Sequence, residues 1–194
     1  MVQASAQYEA DLTALDWASN GQFLVTGDRN GFIHLVDPKT LAALSNSPAN
    51  LAGKKDAWIE DVKISPNCQL IAFGTHGGRS FIDLVKVLDG KKLQKVKSVN
   101  LGLSSALTHL DWTLDSTTLI INSQAYELMW MNVSTFAQVP ASSAKAIDDD
   151  YATFTGCFGW QVKGIWRPFS DFTDVNSVCR ANSRNFLATA DDFG

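Results

Sequence analysis

This sequence of 194 residues has no excess of basic charge, only three cysteines and no long apolar run. Sixteen lysines and arginines face 20 aspartates and glutamates, which gives a formal net charge of −4. Domains that bind nucleic acid are normally basic, so we expect no nucleic-acid partner. No apolar run approaches the roughly 18 residues of a membrane-spanning helix, and the first residues lack the pattern of a secretion signal. We therefore expect a soluble, intracellular protein without membrane contact.

Cysteine usage excludes two kinds of site. Cys68, Cys157 and Cys179 are odd in number, widely spaced and not arranged in C-x-x-C pairs. Neither a disulfide framework nor a zinc site is indicated, and small buried apolar residues are the better interpretation. The composition, 45% hydrophobic and 19% charged, is that of an ordinary globular protein with enough apolar surface for a core.

The sequence does contain an internal repeat. In each copy a short alternating strand leads into a turn, and a more apolar strand follows. The copies run from Ala14 to Asp37, from Asp61 to Val85, from His109 to Val133 and from Ser177 to Gly194.

The spacing of the copies indicates their architecture. Trp17, Ile64, Trp112 and Arg180 occupy equivalent positions, separated by 47, 48 and 68 residues. The first two steps suit the blade of a WD-repeat propeller, whose period is about 40–45 residues plus loop variation. The third step implies an insertion.

Short β-rich runs separated by glycine, asparagine, aspartate and proline turns leave no stretch suited to a long helix. We therefore predict an all-β fold, an incomplete WD-repeat β-propeller of about three and a half four-stranded antiparallel blades. In the first copy we expect strands at Thr13–Trp17, Phe23–Thr26, Phe32–Asp37 and Leu41–Leu44. We expect blades at residues 8–52, 53–101 and 102–150, then an insertion and half a blade at 151–194.

The fourth copy stops where the first copy passes Asp28 and enters its third strand. A propeller protects its sheet edges by closing into a ring of about four to eight blades. We therefore expect these residues to be a segment of a longer chain, with the remainder of its own propeller as a partner.

Three stretches carry a more specific resemblance. They are THLDW at 108–112, DYATFTGCFGWQVKGIW at 150–166 and TDVNSVCRANSRNFLATADDFG at 173–194. Together they resemble the second propeller of the echinoderm microtubule-associated protein-like family, although Ala190 replaces a glycine usual there. The resemblance covers about Tyr8 to Gly194. It implies a non-enzymatic scaffold that associates with tubulin, microtubules or microtubule-associated proteins, in a cytoplasmic array of the cytoskeleton or in an axoneme.

A second function stays open at this point. A WD-repeat adaptor of an unrelated signalling or ubiquitin-transfer assembly would show the same repeats. Only the block from Asp150 to Gly194 separates the two hypotheses.

A lysine-rich stretch is the candidate contact with such a partner. Five lysines against Asp89 give +4 between positions 86 and 97, which leaves −8 on the rest of the chain. Asp89-Gly90 predicts a hairpin turn. The lysines either attract an acidic tubulin surface or keep a solvated sheet edge from pairing with other chains. They are Lys86, Lys91, Lys92, Lys95 and Lys97.

Several aromatic and polar residues suggest structural roles. Trp17 and Trp112 are expected in the core between blades, and Trp130 at the third-strand position typical of WD repeats. Trp58 is expected to be partly exposed and is a further candidate partner contact.

His109 is expected to join a histidine–serine–aspartate network, because buried polar groups need partners. Asp28 and Asp191 are expected to brace matching turns.

No pattern points to an enzyme, a cofactor or a metal. Asp192-Phe193-Gly194 matches a kinase tripeptide without the other kinase motifs, so a hairpin turn explains it better. Asp148-Asp149-Asp150 lacks the spacing of a calcium loop and is interpreted as a solvated acidic loop.

Overall fold

The computed structural model describes residues 8–44, 49–50, 57–76, 81–140, 150–166, 168–169 and 175–192, with the backbone alone at 49–50. Strands dominate these ranges, and one short 3-10 helix spans Trp160–Ile165. Among the described residues, no helix is long and apolar enough to cross a membrane.

Three four-stranded antiparallel sheets and one two-stranded sheet make up this part of the chain. The first sheet contains β1 (Leu12–Trp17), β2 (Leu24–Asp28), β3 (Phe32–Val36) and β4 (Ala49–Asn50). The second contains β5 (Ile59–Ile64), β6 (Leu70–Thr75), β7 (Ile82–Leu88) and β8 (Lys92–Val99). The third contains β9 (Leu107–Trp112), β10 (Thr118–Ser123), β11 (Leu128–Asn132) and β12 (Gln138–Val139). The last pairs β13 (Val175–Arg180) with β14 (Leu187–Asp191).

The sheets stand next to one another in the manner of propeller blades. Strands pair in chain order within each sheet, and the first strands lie side by side, β1 against β5 and β5 against β9. One apolar cluster joins the first and second sheets, and another joins the second and third. The predicted all-β, incomplete WD-repeat propeller is confirmed.

Glycines allow the close approach between successive sheets. A Cβ atom on Gly27 of β2 would collide with the side chain of Ile59 at the start of β5. At the same place in the next sheet, a Cβ atom on Gly74 would lie 2.7 Å from Leu107 Cδ1 at the start of β9. Each glycine is therefore required by packing, because an aliphatic side chain from the next sheet occupies the space a Cβ atom would fill.

The predicted fourth strand of the first copy, Leu41–Leu44, is wrong. Leu41 takes a positive φ of 59° and closes a turn in which its amide donates to the Asp37 carbonyl. Only one bridge, between Val36 and Ala43, then forms, and the outer strand paired with β3 is Ala49–Asn50.

The expectation for Trp112 agrees with the structure, whereas that for Trp17 stays a prediction, because no sheet that precedes β1 is described. Trp112 is 1% exposed, and its indole nitrogen donates to the Lys63 carbonyl of the preceding sheet at 3.1 Å. Trp17 holds the equivalent position on β1 but is 57% exposed. Since the contact face of Trp112 comes from the preceding sheet and β1 belongs to the first described sheet, no described sheet covers Trp17.

Candidate interaction surface

A tight hairpin joins β7 to β8. Asp89 and Gly90 both have positive φ, 50° and 64°, and the Lys91 amide donates to the Leu88 carbonyl at 3.0 Å. Two such central residues match the right-handed twist of the flanking strands, and Asp-Gly tolerates them well. The five lysines therefore lie on two paired strands and on the turn that joins them.

A β-bulge separates the lysines into two groups. Val85 pairs with Lys95, but Leu84 pairs with Lys97, so Val96 is the extra residue. Cross-strand partners share a face, and neighbouring residues on one strand point to opposite faces. Lys95 and Lys97 therefore lie on opposite faces of the sheet, although a regular strand would place them on one face.

These two lysines contact other side chains of the chain. Lys95 Nζ lies 2.9 Å from Oδ1 of Asp83, which is 2% exposed and also accepts a hydrogen bond from Ser98 Oγ. Lys97 Nζ lies 4.5 Å from the ring centroid of Phe136 in the third sheet. Both lysines are thus partly engaged within the fold.

The other three lysines extend the basic surface to the tip. Lys86, Lys91 and Lys92 are all exposed. Lys97 pairs with Leu84, and Lys86 lies two residues from Leu84 on the same strand. Lys92 pairs with Leu88, which is two residues beyond Lys86. Lys86, Lys92 and Lys97 therefore lie on one face of the sheet. We call Lys86, Lys91 and Lys92 the lysine tip.

Trp58 does not offer a free aromatic face to a partner. Its ring stacks on His76 with centroids 4.0 Å apart, and the Arg29 guanidinium lies 5.8 Å from its centroid. Its indole nitrogen donates to Glu60 Oε2 at 2.7 Å. The half-buried tryptophan thus joins the first and second sheets. Because these contacts occupy its ring and its indole nitrogen, the geometry does not support its predicted role as a partner contact.

Buried and half-buried charges along the first strands hold successive sheets together. Asp16 accepts the Ile64 amide at 2.6 Å, and Asp61 accepts the Leu110 amide at 2.7 Å. Lys63 donates to Asp61 at 2.5 Å. Burial lowers the pKa of Lys63, but the neighbouring carboxylates, Asp61 first, outweigh it and raise this pKa above its usual value. The charged form of Lys63 is therefore the stable one inside the fold.

Asp28 braces the turn that follows β2. Its Oδ1 accepts the amides of Asn30 and Phe32, at 2.9 and 2.8 Å, and its Oδ2 lies 2.9 Å from His34 Nε2. His34 was not singled out from the sequence, although it lies six residues after Asp28 on the neighbouring strand. Asp191 ends β14 opposite Val175, as Asp28 ends β2 opposite Leu12, and residues 193–194 beyond it lie outside the described residues.

The predicted network around His109 does not form among the described residues. His109 Nδ1 is buried without a hydrogen-bond partner there, and burial lowers the pKa of the ring below 6.5. The histidine–aspartate pair occurs instead at His34 and Asp28, because the Asp28 turn places its carboxylate against β3.

Trp130 lies in the core as its third-strand position suggested. It is 2% exposed, and its indole nitrogen donates to the Tyr151 hydroxyl at 2.8 Å.

Asp150, the described member of the acidic triplet, accepts hydrogen bonds from Arg180 and Arg184, whereas Asp148 and Asp149 lie outside the described residues. In the described ranges, no group of three or more histidine, cysteine, aspartate or glutamate side chains is placed to hold a metal ion.

Sequence comparison decides the family. The model of a family described as "Echinoderm microtubule-associated protein second beta-propeller" matches residues 1–194. The chain belongs to this family. The resemblance drawn from the sequence is therefore confirmed, and the unrelated signalling or ubiquitin-transfer adaptor is not favoured.

Relatives within the family agree with this assignment. The chain is 43% identical over 133 residues to the 77 kDa echinoderm microtubule-associated protein of Lytechinus variegatus, covering 69% of this chain and 20% of that protein. It is 30% identical over 178 residues to human echinoderm microtubule-associated protein-like 3, covering 92% of this chain and 19% of that protein. The chain thus spans about a fifth of the length of these relatives.

Solved structures support the fold of this family member. The WD40 repeats of RRP9 match with a TM-score of 0.60 at 14% identity, over 70% of this chain and 39% of that one. The Cps50 (Swd1) propeller from Myceliophteria thermophila matches with a TM-score of 0.54 at 13% identity, over 68% and 43% of the two chains. At such identities the similarity concerns the fold alone.

Proposed function

We propose that this chain is a non-enzymatic scaffold segment of a microtubule-associated protein, and that it contacts tubulin or proteins bound to microtubules. The family assignment carries the proposal, because the relatives from sea urchin, mouse and human are named as microtubule-associated proteins. It also makes the cytoskeleton the expected location.

The lysine tip is the surface that suits such a partner. Microtubule surfaces are acidic, and exposed cations at a hairpin turn gain on-rate and affinity from opposite charge. Lys95 and Lys97 contribute less, because one pairs with Asp83 and the other lies over Phe136. The tip comprises Lys86, Lys91 and Lys92.

The same lysines also protect a sheet edge. β8 has eight residues, whereas the outer strands β4 and β12 of the other four-stranded sheets have two each. A long outer strand favours pairing with other chains, and lysines oppose it. The two roles differ in their consequence: only partner binding makes microtubule affinity depend on the lysines.

Co-sedimentation of the full-length protein with microtubules tests the proposal. We expect the Lys91→Glu, Lys92→Glu double variant to weaken binding by about tenfold or more at low salt, with a smaller loss at high salt because screening acts beyond about 8 Å at physiological ionic strength. The matched control reverses two exposed lysines elsewhere, Lys39 and Lys163, with the same change in net charge. If both pairs of substitutions weakened microtubule binding equally, net charge alone would explain the effect. Unchanged binding after replacement of all five lysines would contradict a role for the hairpin.

A further inference from the structure

The contact between the third sheet and the β13–β14 hairpin differs from the two contacts before it. β5 lies alongside β1, and β9 alongside β5, but among the described strands β13 does not lie alongside β9 in this way. Residues 150–166 contact the third sheet instead. We call this segment the strap.

One repeat position shows how the strap takes a strand's place. Gly27, Gly74 and Asn122 are equivalent, since each lies on the second strand of its sheet opposite Ala14, Asp61 or His109. At the two glycines, the first strand of the next sheet packs directly on the backbone.

Asn122 contacts the strap by hydrogen bonds instead. It is 1% exposed, its Oδ1 accepts the Phe158 amide at 3.0 Å, and its Nδ2 donates to the Phe158 carbonyl at 3.1 Å. The close approach needs a glycine here too, but the glycine belongs to the strap. A Cβ atom on Gly156 would lie 2.7 Å from Asn122 Oδ1.

A second repeat position shows the same substitution. Asp16 and Asp111 both precede the equivalent tryptophans. Asp16 accepts the amide of Ile64 on the next first strand. Asp111 instead accepts the strap amides of Thr155 and Gly156, at 2.9 and 2.8 Å.

Among the described residues, the clusters beside the strap contain fewer buried apolar side chains than the clusters between the first three sheets. Twelve buried side chains form the cluster between the first and second sheets, and eleven form the one between the second and third. On the two sides of the strap, the described clusters contain three buried side chains each. Regions with little apolar burial open at lower free energy than the rest of a protein.

We propose that the strap substitutes for the first strand of the fourth blade against the third, and that it releases locally while the three complete blades stay folded. Release uncovers the buried face of Ile120 and Trp130, together with the hydrogen-bonding groups of Asp111 and Asn122. The strap is thereby a conformational device between the third sheet and the β13–β14 hairpin.

Cys157 provides the probe. It lies within the strap, is 2% exposed, and burial raises its pKa to about 11. A thiol reagent therefore reacts with it only after the strap opens. The experiment follows labelling of Cys157 in the full chain carrying Cys68→Ser and Cys179→Ser, across a series of low urea concentrations.

The expected result is a labelling rate that depends only weakly on urea, because local opening exposes little surface. Asn122→Gly should raise the rate about tenfold or more, since the amide and the carbonyl of Phe158 lose their partners. Gly156→Ala should act in the same direction, and Gly164→Ala is the control, because a Cβ atom there meets nothing within 4 Å.

The proposal is overturned if Cys157 of the otherwise unchanged chain labels only with the steep urea dependence of global unfolding. It is also overturned if Gly156→Ala and Gly164→Ala give the same rate. If Asn122→Gly does not fold, the urea dependence and the two glycine variants still decide the question.

Discussion

Carboxylates that are buried or half-buried join successive sheets in this chain. Asp16, Asp61 and Asp111 each accept backbone amides from the next unit along the chain. Removing an acceptor leaves those amides buried without partners, which costs about 1–3 kcal/mol for each group. The contacts between blades are therefore polar and directional as well as apolar.

Trp112 and Trp17 hold equivalent positions but differ in exposure, 1% against 57%. We expect Trp112→Ala to lower the free energy of unfolding by about 3–5 kcal/mol, since it empties a packed site and removes the bond to the Lys63 carbonyl. Trp17→Ala in the same chain should cost far less. Urea unfolding followed by circular dichroism measures both, and equal losses would mean that the described environments of the two residues are wrong.

His109 gives a pH dependence of defined sign. Burial lowers its pKa below 6.5, so the unfolded chain binds its proton at a higher pH than the folded chain. The stability that the neutral ring contributes is present above about pH 6.5 and is lost as pH falls through the folded pKa. We expect His109→Asn to flatten the fall in stability on acidification below that value. Parallel pH profiles for the variant and the unchanged chain would exclude this role.

At the scale of elements, the hairpin that presents the lysine tip depends on its backbone. Gly90 has a φ of 64°, and a Cβ atom there would meet only Gln22 Oε1, at 3.8 Å. The glycine is thus required by conformation and not by space, in contrast to Gly27 and Gly74.

Gly90→Ala should therefore destabilise the chain by about 1 kcal/mol. Gly164→Ala is the matched control, because its site is open and its φ is not in the left-handed region. Thermal unfolding of the two variants measures the difference. If Gly164→Ala lost as much stability as Gly90→Ala, the positive φ of Gly90 would not explain the loss.

Local chemistry made several elements predictable from the sequence. The alternating pattern placed β1 to β3 within one or two residues, and Asp89-Gly90 marked the β7–β8 turn. The outer strand was missed, because its pairing depends on the turn at Leu41 and on tertiary contacts. The separation of Lys95 from Lys97 was also missed, since a β-bulge leaves no signal in the alternation of residue types.

The interactions between sheets were harder to predict than the strands. The hydrogen bond between Asn122 and Phe158 joins residues 36 positions apart, and the one between Asp111 and Thr155 joins residues 44 positions apart. A single sequence contains no signal for such pairs. The departure from glycine at Asn122 was nevertheless visible, because Gly27 and Gly74 occupy the same position in the two preceding copies.

At the scale of the whole molecule, the order of the blades follows from the way each first strand packs on the preceding sheet. The contact between Gly74 and Leu107 represents this arrangement, because the two residues belong to different sheets and approach too closely for a Cβ atom on the glycine. Gly27 and Ile59 repeat it one sheet earlier. The fold assignment rests on this packing, whereas the family assignment rests on the sequence comparison.

A double-mutant cycle on Gly74 and Leu107 tests that architecture most directly. We expect Gly74→Ala to destabilise the unchanged chain, because its Cβ atom would lie 2.7 Å from Leu107 Cδ1. In the Leu107→Ala background the space is free, so the same change should cost much less, with a coupling energy of about 1 kcal/mol or more. Losses that add within about 0.5 kcal/mol would show that the two sheets do not pack as successive blades.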